Sequence, residues 1–93
     1  MAERPRWTFL TSHASMIIEV SRAPDATVRE LAVRSDLTER QAHRVLADLV
    51  EAGYVERRRV GRRNQYRVNE EQPLRRSSVA DRRVGELLSA LTR

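Results

Sequence analysis

Thr27-Val-Arg-Glu-Leu-Ala-Val-Arg-Ser-Asp-Leu-Thr-Glu-Arg-Gln-Ala-His-Arg-Val-Leu-Ala-Asp-Leu-Val-Glu-Ala-Gly-Tyr54 is the stretch on which the fold of this 93-residue chain turns. It carries the same start signal twice. Thr27 is followed three residues later by Glu30, and Thr38 by Gln41. At that spacing a hydroxyl caps the free amides of a helix while the third side chain reaches back to the cap. Val28, Leu31 and Ala32 make a short apolar stripe after the first signal. Ala42, Val45, Leu46 and Leu49 hold the i, i+3, i+4 and i+7 positions after the second. Ser35-Asp36-Leu37 is left as a turn, and Gly53 supplies the left-handed residue that stops the second helix. Two capped amphipathic helices joined so tightly read as a helix-turn-helix.

Moving outward, Tyr54 to Val60 and Asn64 to Val68 are rich in Val and Tyr around a Gly-containing tip, which predicts a hairpin. Its tip, Gly61-Arg62-Arg63-Asn64, is basic. Asn69 to Arg76 reads as a polar connector. Ser78-Val-Ala-Asp81 resembles another helix start, and Ala80, Val84, Leu87, Leu88 and Leu91 then form one apolar stripe. On the N-terminal side, residues 1–7 read as an arm ending at Trp7. A first helix is expected from Thr8 or Thr11, with Leu10, Ala14, Ile17, Ile18 and Ser21 at helical spacing and Pro24 as its stop.

Composition narrows the class. The net charge is +5, and all 18 basic residues are Arg. A guanidinium fork suits phosphate and guanine edges better than an ammonium does, although codon bias explains an all-Arg chain as readily. Clustering is the stronger signal, since Arg57, Arg58, Arg59, Arg62, Arg63 and Arg67 crowd one hairpin. The chain has no Cys, which excludes disulfides and thiolate metal sites. No apolar stretch of signal-peptide length follows the N-terminus and no run of 18 apolar residues occurs, so a soluble cytoplasmic protein is expected.

The order helix, helix, turn, helix, hairpin, helix matches the winged helix-turn-helix. The string Leu31-Ala-Val-Arg-Ser-Asp-Leu-Thr-Glu-Arg, followed by Leu46-Ala-Asp-Leu-Val-Glu-Ala-Gly-Tyr-Val55, resembles the MarR and ArsR types of bacterial and archaeal transcriptional regulators over residues 8 to 70. The resemblance implies that Ala32, Leu37, Leu46, Leu49, Gly53, Tyr54 and Val55 hold the helices and wing together. The expected fold is therefore mainly α with a small β-hairpin. It divides into an arm (1–7), a winged helix-turn-helix DNA-binding domain (8–70), and a connector with a C-terminal dimerisation helix (71–93). Metal-sensing members carry Cys or His clusters, and His13 and His43 alone are too few for a site. No cofactor, metal or small-molecule effector is identified.

On a helical wheel the core stripe of the third helix leaves Arg40, Gln41, His43 and Arg44 on the groove-facing side. Arg grips guanine O6 and N7 with two bonds, and Gln can do the same at adenine N6 and N7. Thr38 adds a hydroxyl near phosphate. Glu39 either faces away or accepts from a cytosine amine. In the wing, Arg62, Arg63 and Asn64 are expected to project from the tip into a minor groove or onto phosphates, with Arg57, Arg59 and Arg67 along the strands. His43 is either a base contact or an exposed helical residue, and His13 is read as a packing or surface histidine. Trp7 and Phe9 are expected to plug the core or a subunit contact. Asp48, Glu51 and Glu56 are read as solvent-facing charges, so no catalytic site and no enzyme is expected.

A C-terminal helix with the stripe Val84, Leu87, Leu88 and Leu91 must be buried, either on helix one of its own subunit or on a second copy. The second option is favoured, giving a homodimer on a pseudo-palindromic operator with half-sites one DNA turn apart. The leading function is a sequence-specific regulator binding double-stranded DNA, a repressor by steric block rather than an activator. The alternatives are a winged-helix protein-interaction module and an RNA or Z-form nucleic-acid binder.

Overall fold

A computed structural model describes residues 6–92. The elements run α1 (Ser12–Arg22), α2 (Val28–Arg34), α3 (Glu39–Glu51), β1 (Val55–Val60), β2 (Arg63–Val68), a single 3-10 turn (Ser77–Val79) and α4 (Val84–Thr92). Four helices and one antiparallel hairpin make a winged helix-turn-helix with a C-terminal helix, as the sequence reading anticipates.

Each of the first three helices begins on a threonine. Thr11, Thr27 and Thr38 accept from the backbone N–H groups of Ala14, Glu30 and Gln41. Both expected capping boxes are closed, because Glu30 and Gln41 accept in return from the cap N–H groups at 3.1 and 2.9 Å. Caps of this kind contribute about 1 kcal/mol each. The ends of α2 and α3 are also built alike. Leu37 N donates to Ala32 O, and Tyr54 N to Leu49 O, both at 2.9 Å. These are the long bonds of the Schellman ending, and they place Asp36 (φ 58°) and Gly53 (φ 83°) in the left-handed region. Asp36 thus makes the sharp turn between the two helices of the motif without a glycine.

α1 is the hub, packed against α2, α3, α4 and β2. A helix with so many neighbours needs a broad apolar band, and the expected stripe proves too narrow. Met16 and Val20 are buried beside Ile17 and Ile18, whereas Ser21 and Leu10 are exposed. Leu31 and Ala32 of α2, the four stripe residues of α3, and Val55 and Tyr66 of the hairpin complete the core with Val84 and Leu88. No polar or charged residue among those described is buried, so charge interactions here act at the surface, where they stabilise little.

The C-terminal segment departs from expectation. Ser78 to Asp81 does not begin the last helix; it lies in the short 3-10 turn and the residues after it, and α4 starts at Val84. The true start signal is Glu86, whose carboxylate accepts from Arg83 N at 3.0 Å. Nor is the connector loose. Leu74 N donates to Arg82 O, Val84 N to Gln72 O, and Gly85 N to Glu70 O. Gly85 permits that approach, since a Cβ there would lie 2.9 Å from Glu70 Cβ and 3.2 Å from Glu70 O. Residues 69–74 also close over the end of α3, where Asn69 donates to Gly53 O, Gln72 to Ala52 O, and the Tyr54 hydroxyl to Pro73 O at 2.6 Å. The result is that Val84 (2% exposed) and Leu88 (3%), expected at a subunit contact, are core residues of their own chain. Leu87 is half-buried, and Leu91 remains exposed beside α1, where Arg22 caps the helix by donating to Leu91 O at 3.0 Å.

Candidate nucleic-acid interface

The core stripe of α3 fixes which way the rest of the helix faces. With Ala42, Val45, Leu46 and Leu49 buried, Arg40, Gln41, His43, Arg44 and Ala47 are all exposed. The guanidiniums of Arg40 and Arg44 have no hydrogen bond or ion pair among the described residues. They are one helical turn apart and share one side of the rod. Thr38 stands at its N-terminus, where its oxygen accepts from Gln41 N at 3.1 Å and its hydroxyl proton is left over for an acceptor. The backbone dipole favours an anion at this end.

Glu39 faces Arg29 of α2 at 3.9 Å and His43 one turn on at 4.0 Å. Both separations are long, and all three side chains are largely exposed. The carboxylate faces the Arg29 guanidinium of α2. His43 is placed beside it on the exposed face.

The hairpin is shorter at its tip than expected. β2 begins at Arg63, which pairs with Val60, so the turn is only Gly61-Arg62. Gly61 has φ 63° and Arg62 is not left-handed, the pattern of a turn with glycine at its first central position. Arg59 Nε donates to Gly61 O at 3.2 Å and steadies it. Arg62 alone sits at the tip, exposed and with no partner among the described residues. Arg63 and Asn64 belong to the strand, and this corrects the expectation that all three project together.

Strand membership also decides direction, because residues directly paired share a face. Val55, Arg57 and Arg59 lie on one face with Val68, Tyr66 and Asn64. Glu56, Arg58 and Val60 lie on the other with Arg67, Gln65 and Arg63. Arg67 is thus separated from Arg57 and Arg59 and stands across from Glu56. Arg63 reaches sideways, where its guanidinium donates to the Asp25 carbonyl in the loop between α1 and α2. Gln65 follows with a bond to the Asp25 carboxylate at 2.8 Å. Together they fasten the second strand of the wing to the loop that leads into α2. Only long-range proximity creates this tie, so no local pattern in the sequence announces it.

A second unforeseen contact lies one turn beyond Arg44 on α3. His13 Nε2 and Asp48 Oδ2 are 2.8 Å apart, bridging α1 and α3 outside the core. It flanks an open groove of about 1020 Å³ lined by Phe9, Leu10, Leu74, Val79 and Leu87 among others. Trp7 (69% exposed) and Phe9 (92%) do not plug the core. Their rings meet edge to face with centroids 5.2 Å apart. Glu51 and Glu56 are exposed, and no cluster of three His, Cys, Asp or Glu able to hold a metal occurs among the described residues. No helix there is long and apolar enough to cross a membrane.

Among the described residues, the arrangement offers an exposed rod with two unpartnered guanidiniums and a wing with another at its tip. No curated protein sequence matches the chain. The MarR family model matches residues 8–63, which span α1, the helix-turn-helix and the turn of the wing. The resemblance to MarR and ArsR types is met on its MarR side: the chain belongs to the MarR family of DNA-binding transcriptional regulators.

Proposed function

We propose that the protein acts in the cytoplasm as a sequence-specific repressor, binding a pseudo-palindromic operator in duplex DNA as a homodimer and blocking polymerase by occupancy. The observation that carries this reading is the pair Arg40 and Arg44, exposed and without a partner among the described residues, on the side of α3 opposite its core stripe. A guanidinium so placed is free to make the two-bond contact with guanine. Arg57, Arg59, Arg62 and Arg67 of the wing supply charge for the sugar-phosphate backbone, which contributes affinity without reading sequence.

The dimer reading rests on apolar surface a lone subunit has no use for. Trp7, Phe9, Leu10, Val79 and Leu91 are exposed, and Leu10 lines both the groove bordered by Leu87 and a smaller one bordered by Leu91. A second copy seated there would cover them. Since Val84 and Leu88 belong to the core, point changes at the exposed positions test the dimer better than removal of α4, which would unfold the chain.

Selection from random duplex DNA tests the whole reading. The expected result is a two-fold motif with half-sites about 34 Å apart, retained at low salt. Affinity should fall by roughly three to five decades between 50 and 200 mM salt for 6 to 10 phosphate contacts. Arg40→Ala or Arg44→Ala should relax preference at single base pairs. Failure to retain any duplex, or retention with no enriched motif, would overturn it.

A further inference from the structure

Gln41 is the one groove-facing side chain of α3 whose chemistry the structure narrows. Its Oε1 accepts from Thr38 N at 2.9 Å. A backbone N–H can only donate, so the atom opposite it must be the amide oxygen, and the flipped amide is ruled out by chemistry. Thr38 Oγ1 accepts in return from Gln41 N at 3.1 Å, so the two residues hold each other. The remaining group, Nε2 with its two N–H bonds, has no partner among the described residues, and the side chain is exposed.

Resting on the proposed DNA-binding function, we infer that Gln41 reads the major groove as a donor only and selects a keto base, guanine or thymine, at one position of each half-site. The usual two-bond grip of Gln on adenine needs the oxygen to accept from N6 while Nε2 donates to N7. Here the oxygen is folded back on the helix start, and turning it into the groove would open the capping box. Guanine presents two adjacent acceptors, N7 and O6, and thymine presents O4; adenine also offers N7, but the N6 amino group beside it is a donor that an outward-facing amide nitrogen cannot satisfy. Thr27 and Glu30 at the start of α2 show what happens when a carboxylate fills the same place. The box closes equally well, with Glu30 accepting from Thr27 N at 3.1 Å, but no donor is left. Gln41 therefore serves two purposes with the two ends of one amide, and only one end is available to DNA.

The test is motif selection from random duplex DNA with the full chain and two variants. Gln41→Glu keeps the acceptor that closes the box and removes both donors. One position per half-site should lose its guanine or thymine preference by roughly three- to tenfold, the worth of one hydrogen bond, and turn toward the amino bases cytosine or adenine. Gln41→Ala should lose the same preference with the other positions intact, and it decides the matter if the added carboxylate abolishes binding. Thermal melting should show Gln41→Glu close to the parent and Gln41→Ala lower. A parent motif demanding adenine at the position that the variants relax would overturn the inference while leaving DNA binding in place. So would a motif unchanged in both variants. Failure of the parent chain to retain any duplex would overturn the functional reading itself, and this inference with it.

Discussion

Arg62 and Arg63 are adjacent in sequence but differently engaged, and the salt dependence of DNA binding should separate them. Arg62 occupies the turn with its guanidinium unpartnered among the described residues, whereas that of Arg63 is engaged by the Asp25 carbonyl. Each phosphate neutralised on duplex DNA contributes about 0.9 to the slope of log K against log salt. Arg62→Ala should therefore lower the slope by about 0.9 per subunit, or about 1.8 for a dimer. Across a fourfold rise in salt, the affinity lost by the parent should exceed that lost by the variant about 12-fold. Arg63→Ala should weaken binding with the slope nearly unchanged, because what it removes is the tie between wing and loop. That tie is exposed, so it is worth less than the 1.5 to 3 kcal/mol typical of a charged donor. Fluorescence anisotropy with a selected duplex at five salt concentrations gives both slopes. A drop of about one unit for Arg63→Ala with none for Arg62→Ala would refute the assignment.

Gly53→Ala should cost about 1 to 2 kcal/mol, because the residue sits at φ 83° and an added Cβ would also press on Gln72 Nε2 at 2.7 Å. Thermal denaturation should show a fall of roughly 4 to 16 °C, and an unchanged midpoint would count against the strain argument. Backbone and hydroxyl hydrogen bonds from Thr27, with Arg63 and Arg34 nearby, hold the Glu30 carboxyl below its ordinary value of 4.5. A carboxyl with a lowered folded value contributes stability that is complete above about 4.5 and is lost as pH falls through that lowered value. Urea melts of parent and Glu30→Gln should therefore differ most near neutral pH and converge in acid; a difference independent of pH would contradict this. Phe9→Asp and Leu91→Glu should shift the chain toward monomer in light scattering without lowering its melting point by more than a few degrees, since both side chains are exposed. Unchanged mass in both would remove these residues from the subunit contact.

What could be read in advance was local. Thr27 with Glu30, Thr38 with Gln41, and Gly53 act through partners three to five residues away, so their spacing carries the geometry. The α3 stripe was equally legible, because one helix face meets one core. α1 was harder to read, since a hub surrounded by four elements buries Met16 and Val20 outside any single stripe. The start of α4 is hard to see in the sequence because its cap lacks a Ser or Thr, and Glu86 three residues after Arg83 is its one local sign. Arg63 on Asp25 and His13 on Asp48 join residues about 35 to 40 positions apart, and such pairs leave no trace in spacing. The commitment of the Gln41 oxygen is of the opposite kind, since its partner Thr38 lies three residues away and the capping-box spacing already carries it.

The segment from Asn69 to Pro73 fastens onto the last turn of α3 and then runs directly into the backbone bonds that start α4. Whatever tilts the C-terminal rod must pull on the same strap that anchors α3, so neither can swing as a free lever. Amide protons at Gly85 and Tyr54 should then exchange with solvent in step, released by one shared opening event.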